Sequence, residues 1–198
     1  MTQSTTTANR WRTVDIVVAS VLAVAFGVIF WAWNTLWTGP AATAFAGFKP
    51  AAGVIYGVWL VPAVLGPLVI RRPGAGLFTE VGAALVSVLL GSPWGLVTLL
   101  YGLFQGLAGE FAFAVTGYRS WRLPNALLGG ALAGAAAALL DLILYYPTWS
   151  MGWKWTYTGI LIGSGAIVAG LGAWALTRAV AQTGVLDRFA SGRERAAI

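Results

Sequence analysis

The sequence predicts an all-α integral membrane protein, a bundle of six transmembrane helices with both termini on the cytoplasmic side. Three observations carry that expectation. Of the 198 residues, 59% are apolar and 9% charged, against about 45–50% and about 25% in an ordinary soluble domain. The apolar residues gather into six stretches, most of them near the roughly 20 residues that a bilayer crossing requires. Nearly all of the charge falls between these stretches, and it is divided unevenly between the two sides. One membrane domain, 1–198, accounts for the whole length.

The first span covers about residues 14–37. Arg10 and Arg12, the apolar run after them, and Ala42-Thr43-Ala44 or Ala44-Phe45-Ala46 imitate a secretory signal with a small-residue cleavage site. The run from Val14 to Trp37 is longer than the 7–15 residues of a signal core and ends in bulky tryptophans, so it reads as a span. The second and third spans fall at about 53–70 and 75–90. The third is short for a bilayer, which implies little tilt, a break, or burial among neighbours. Its limits, Arg72-Pro73-Gly74 and Gly91-Ser92-Pro93, are turn signals. The remaining spans fall at about 94–117, 125–146 and 156–178, followed by a cytoplasmic tail, 179–198.

Loop charge orients the bundle, because Lys and Arg accumulate on the cytoplasmic side of membrane proteins. With the N-terminus inside, Arg10, Arg12, Arg71, Arg72, Arg119, Arg122, Arg178, Arg188, Arg193 and Arg195 are cytoplasmic, and only Lys49 and Lys154 are external. The net charge of +6 therefore expresses topology. Arginines scattered over several short loops do not form a nucleic-acid surface.

Several function classes fall away. With no Cys and no His, disulfides, thiol catalysis, haem and most transition-metal sites are excluded, and no cofactor or metal is expected. A nucleotide-binding P-loop needs Gly-Lys followed by Ser or Thr, whereas Lys49 follows Phe48 and Lys154 follows Trp153. The chain therefore cannot power ATP-driven transport alone. Only a carboxylate pair remains for acid–base work, and nothing else resembles a catalytic constellation, so an enzyme is not expected.

An ionisable residue inside a span is costly and marks a candidate functional site. Here the candidates are Glu80, Glu110 and Asp141, with Asn34, Gln105 and Thr98 as neutral companions, and the spans hold no Lys or Arg. Acids without internal basic partners are protonated, bound to neutral donors, or complementary to a cation. At about 1.5 Å per residue, Glu80 lies about 12 Å from Arg72 and Glu110 about 13 Å from Arg119, an inner-to-middle depth, while Asp141 lies nearer the outside. Tyr101 and Thr98 continue outward from Gln105 at helical spacing and form a polar track.

Aromatic residues crowd the same external side. Trp31, Trp33 and Trp37 close the first span, Trp94 opens the fourth, and Tyr145 and Tyr146 end the fifth. Trp149, Trp153, Trp155 and Tyr157 fill the last external loop. An interfacial belt accounts for part of this, yet the inner side has only Trp11, Tyr118, Trp121 and the deeper Trp174. Aromatic faces bind cations and stack on flat heterocycles, so this mouth above buried acids suits a flat, positively charged solute. Phe30, Trp33, Asn34 and Trp37 share one helix face, expected to point inward, while Trp31 turns away as an interface anchor. Trp33, Asn34, Trp37, Trp94, Tyr101, Tyr145 and Trp153 join the acids and Gln105 as candidate ligand contacts.

Ala19, Ala23 and Gly27 recur every four residues along the first span. Such a stripe lets helices approach closely and serves either internal packing or docking of another membrane subunit. Gly102, Gly106 and Gly109, and the run from Gly129-Gly130 to Ala138, read as packing.

Three segments carry a family resemblance: TVDIVVASVLAVAFGVIFWAWNTLW, YGVWLVPAVLGPLVIRRPGAGLFTEVGAALVSVLLGSPWG and LFQGLAGEFAFAVTGYRSW. They resemble the YkoE family, substrate-binding membrane subunits (S components) of energy-coupling-factor (ECF) transporters for thiamin or its hydroxymethylpyrimidine precursor. The resemblance runs from about Trp11 to Arg178. It implies a multi-pass protein of the bacterial cell membrane that captures vitamin from outside under a lid, here residues 38–50. It further implies docking on a transmembrane coupling subunit driven by separate ATPases, and toppling to release cargo inside. By the same resemblance Ala19, Ala23 and Gly27 would meet the coupling subunit. Glu80 or Glu110 would take the aminopyrimidine, Asn34 and Gln105 would support it, the tryptophans would stack on it, and Asp141 would hold Tyr145 or the lid. A stand-alone proton-coupled carrier of a cationic solute and a structural or regulatory scaffold are the rival readings.

Overall fold

The computed structural model describes residues 10–186 and 189–193. Arg188, Arg195 and part of the expected tail lie outside the described residues. The first helix, α1 (Thr13–Leu36), begins where Arg12 is extended and its amide donates to Asp15 Oδ2 at 2.9 Å. The same carboxylate is wholly buried and pairs with Arg12 at 2.7 Å and Arg72 at 3.2 Å. This clamp ties the start of the first span to the turn that ends the second.

Helical structure does not stop at Trp37. A π-helical turn, Trp37–Ala41, holds Pro40 and leads into a short helix, α2 (Ala42–Ala44). Proline cannot donate to the ladder, and a π bulge is one way for a helix to absorb it. Much of the segment expected to form an external loop, 38–50, is thus a continuation of the first span.

The next crossing changes geometry partway. Lys49–Leu60 is a 3₁₀ helix of 12 residues, where runs beyond 3–4 residues are uncommon. It passes into α3 (Val61–Ile70), whose residues from Pro62 to Ile70 are all buried, and which ends at Arg71 in the left-handed conformation (φ 56°). Being wrapped on every side, α3 is the axis of the bundle and touches α1 and most of the helices that follow it. Around it run α4 (Ala75–Leu89), α5 (Val97–Ala114), α6 (Leu123–Leu144) and α7 (Met151–Ser164). A π segment, Gly165–Leu171, then leads into α8 (Gly172–Gln182), and a last turn, α9 (Ala190–Arg193), follows.

Neighbours in the ring follow chain order: α1 packs on α4, α4 on α5, α5 on α6, and α6 on α7 and the π segment, while the 3₁₀ helix leans on α7. Among the described residues, five helical stretches are long and apolar enough to cross a bilayer: Thr13–Ala44, Lys49–Ile70, Val97–Ala114, Leu123–Leu144 and Met151–Gln182. The third expected span, α4, has 15 residues and lies between α1, α3 and α5. No strand occurs among the described residues.

The small-residue stripe of α1 is consumed inside this ring. Ala19, Ala23 and Gly27 are buried, a Cβ on Gly27 would lie 2.4 Å from the Val86 Cβ, and one on Gly82 would lie 2.7 Å from the Ala23 Cβ. The stripe is where α4 presses on α1, so the three residues expected to dock a partner are engaged in packing within the chain. The apolar side of α1 that remains open carries Val17, Val21, Val24 and Val28 instead.

Candidate functional site

Where the 3₁₀ helix faces α1, α4, α5 and α6, near the end that carries Lys49 and Lys154, the bundle forms a partly open cavity of about 280 Å³. That is near the lower limit for small-molecule sites. Its aromatic wall is a box of four rings. Trp59 lies 5.0 Å from Trp37, 5.0 Å from Tyr56 and 5.7 Å from Trp94, all in edge-on arrangements, and Trp37 meets Tyr56 at 5.7 Å. Tyr101, Tyr145 and Tyr146 line the cavity beside α6.

The box is held in place by a polar clasp. Asn34 on α1 accepts from Trp59 Nε1 through Oδ1 at 3.1 Å and donates through Nδ2 to Ser87 Oγ on α4 at 3.1 Å. A buried asparagine on an apolar helix thereby fixes the indole of a third element. Gln105 Nε2 donates to the Tyr56 hydroxyl at 3.3 Å.

Two carboxyl groups reach the cavity. Glu80 Oε2 accepts the Ala63 amide at 2.9 Å, one of the orphan donors that every helix start leaves unpaired, so the side chain also caps α3. Asp141 accepts the Tyr101 hydroxyl at 2.5 Å on Oδ1 and the Tyr157 hydroxyl at 2.6 Å on Oδ2. Both of its oxygens act as acceptors, as a carboxylate's do. Among the described residues no lysine or arginine lines the cavity. Two acids and an electron-rich ring box without a basic partner favour a ligand bearing positive charge and a flat, hydrogen-bonding ring.

Of the residues expected at the site, Asn34, Trp37, Glu80, Trp94, Tyr101, Gln105, Asp141 and Tyr145 line this cavity. Three others lie elsewhere. Glu110 turns toward the opposite end, where it accepts the Gly74 amide at 2.7 Å and the Gly76 amide at 2.6 Å. There it caps α4, which otherwise starts without a side-chain cap. It also meets Tyr118, whose phenol is pushed up to about 12, mainly by burial and further by the Glu110 carboxylate beside it. Trp33 donates to the Ile55 carbonyl at 3.0 Å and packs outside the cavity. Trp153 stays 37% exposed and meets Phe48 edge-on at 5.8 Å. Asp141, expected to hold Tyr145 or the lid, bonds Tyr101 and Tyr157 through its carboxylate, and its carbonyl accepts the Tyr145 amide at 2.8 Å.

Tyr56, Trp59 and Ser87 line the cavity without having been expected there. The signal for two of them was present in YGVWLVP: three residues apart, Tyr56 and Trp59 superpose in a helix of 3.0 residues per turn.

A family model described as "ABC-type cobalt transport system, permease component" matches residues 14–136. The putative HMP/thiamine permease protein YkoE of Bacillus subtilis (strain 168) is 36% identical over 186 residues, 93% of this chain and 92% of that protein. This chain belongs to the YkoE family. A crystal structure of an S component of an ECF transporter matches with a TM-score of 0.88 at 33% identity, over 94% of each chain. As a YkoE-family S component, the protein is a multi-pass membrane transport subunit and not an enzyme, and S components work with coupling and ATPase subunits. The word cobalt in the family description finds no echo in its donors. The chain has neither His nor Cys, and among the described residues no three His, Cys, Asp or Glu side chains are grouped to hold a metal ion.

Proposed function

We propose that this chain is the subunit that captures thiamin or its hydroxymethylpyrimidine moiety from outside for an ECF vitamin transporter. The observation that carries the proposal is the pairing of the Trp37–Tyr56–Trp59–Trp94 box with two carboxyl groups and no basic side chain. Thiamin supplies both complements: its thiazolium is a permanent cation, and its aminopyrimidine exchanges paired hydrogen bonds with a carboxyl group. Of the two acids the resemblance offered for the aminopyrimidine, Glu80 lines the cavity and Glu110 is engaged at Gly74 and Gly76. Glu80 therefore takes the aminopyrimidine, leaving Asp141 to face the thiazolium.

In this reading α4 is a sixth, short crossing and both termini are cytoplasmic. The cavity opens outward, and the helical cover Trp37–Ala44 with the turn after it acts as the lid. Cargo passes inward when the subunit docks on its coupling partner, through a surface other than the buried stripe of α1, and topples under the action of separate ATPases.

Uptake of labelled thiamin by cells carrying this chain tests the proposal. Accumulation is expected only when coupling and ATPase subunits are present, and is abolished by ATPase-inactive variants. Accumulation without any partner, dissipated by an uncoupler, favours the stand-alone proton-coupled carrier; no accumulation with partners present contradicts a role in thiamin capture.

A further inference from the structure

The 3₁₀ helix that supplies Tyr56 and Trp59 is held from outside the cavity by one hydroxyl. Ser164, the last residue of α7, accepts the Gly57 amide at 3.0 Å and donates to the Val54 carbonyl at 2.7 Å. Donor and acceptor are three residues apart, the pairing of a 3₁₀ ladder; an α-helix would send each to a partner four residues away. The contact is tight enough to leave no alternative seat. A Cβ on Gly57 would lie 2.5 Å from the Ser164 carbonyl oxygen and 2.6 Å from the Val168 Cβ, and one on Gly53 would lie 2.4 Å from Leu161 Cδ1. Trp33 adds a second external bond to the same stretch, at the Ile55 carbonyl. Ser164 is also where α7 gives way to the π segment Gly165–Leu171, so two non-α geometries meet at this residue.

We infer that Ser164 is a positioning residue: it holds residues 49–60 in the 3₁₀ register and thereby keeps Tyr56 and Trp59 against the bound ligand, setting how long the ligand stays. Relaxation to α geometry turns each successive residue about 20° less and shortens the rise by about 0.5 Å. Counted from Val54, Tyr56 swings by about 40° and Trp59 by about 100°, with Trp59 drawn about 2.5 Å along the axis. A rotation of that size takes the Trp59 indole out of the box and away from Asn34. Release therefore runs through the register of this segment, which carries Tyr56 and Trp59 away from the ligand together.

The inference rests on the reading of the cavity as a thiamin site, and two readouts separate the two claims. In the purified full chain, stopped-flow tryptophan fluorescence gives on- and off-rates for thiamin, and amide hydrogen exchange reads 49–60 without ligand. Ser164→Ala should raise the off-rate by about tenfold, the size expected when a lost buried hydrogen-bonded bridge had stabilised only the closed register, with the on-rate within about twofold and faster exchange confined to 49–60. Trp33→Phe should move both quantities the same way, and it decides the matter if Ser164→Ala does not fold. Lower thermal stability with an unchanged off-rate in either variant, or unchanged exchange in 49–60, overturns the inference. Failure of the wild type to bind thiamin would instead overturn the substrate reading, with exchange alone then judging the register.

Discussion

Asp141→Asn separates the two halves of the proposed ligand. The substitution keeps the shape of the side chain and removes its charge at a wall that no basic residue shares. With an effective dielectric near 20, a unit positive charge about 5 Å from the carboxylate is worth about 3 kcal/mol, and the residual amide dipole reduces the loss to about 2–3 kcal/mol. At about 1.4 kcal/mol per factor of ten, thiamin should bind roughly 30- to 150-fold more weakly. Hydroxymethylpyrimidine has no thiazolium and should lose no more than about threefold. Because Asp141 also accepts from Tyr101 and Tyr157, Tyr101→Phe serves as the control: it drops one hydrogen bond, keeps the charge, and should weaken both ligands equally and by less. Calorimetric titration of the purified variants with both compounds reads these differences. Equal loss for thiamin and hydroxymethylpyrimidine in Asp141→Asn, or none for either, would refute the assignment of the cation to Asp141.

The other acids and the small-residue stripe yield further expectations. Glu80→Gln should weaken thiamin and hydroxymethylpyrimidine alike, by about tenfold or more, because it alters the group paired with the ring they share; selective loss of one ligand in the same titrations contradicts that pairing. Glu110→Ala should leave affinity unchanged and destabilise the fold by about 2–3 kcal/mol, since the Gly74 and Gly76 amides lose their acceptor, as a thermal melt in detergent would record. Gly27→Val should lower the melting temperature before any partner is added, because its Cβ meets the Val86 side chain and the Ala83 carbonyl. A Gly27→Val variant that melts normally but fails to assemble with the coupling subunit would restore the docking reading of the stripe.

The all-helical membrane fold was legible because lipid leaves the chain little choice: apolar runs near 20 residues are what a bilayer enforces. The interior was harder to read, since lipid and protein core are equally apolar and hydropathy does not say which side of a helix faces in. Asn34 could be placed because an amide between tryptophans suits a pocket better than lipid. Ala19, Ala23 and Gly27 could not, because close packing against α4 and docking of a partner require the same small residues. Glu80 and Glu110 lie at similar depth in the sequence reading and separate only in three dimensions, one reaching the cavity and the other capping α4. Tyr56 and Trp59 escaped notice because they carry no charge, and their shared face belongs to a 3₁₀ geometry that a run of apolar residues does not announce.

The central claim is that the cavity accepts thiamin or its pyrimidine, and direct binding to the isolated chain tests it. Tryptophan fluorescence of the purified protein, with Trp37, Trp59 and Trp94 at the cavity wall, should be quenched by submicromolar thiamin or hydroxymethylpyrimidine and unmoved by neutral vitamins or cobalt(II). A chain that responds to neither compound, or responds to cobalt alone, contradicts the account.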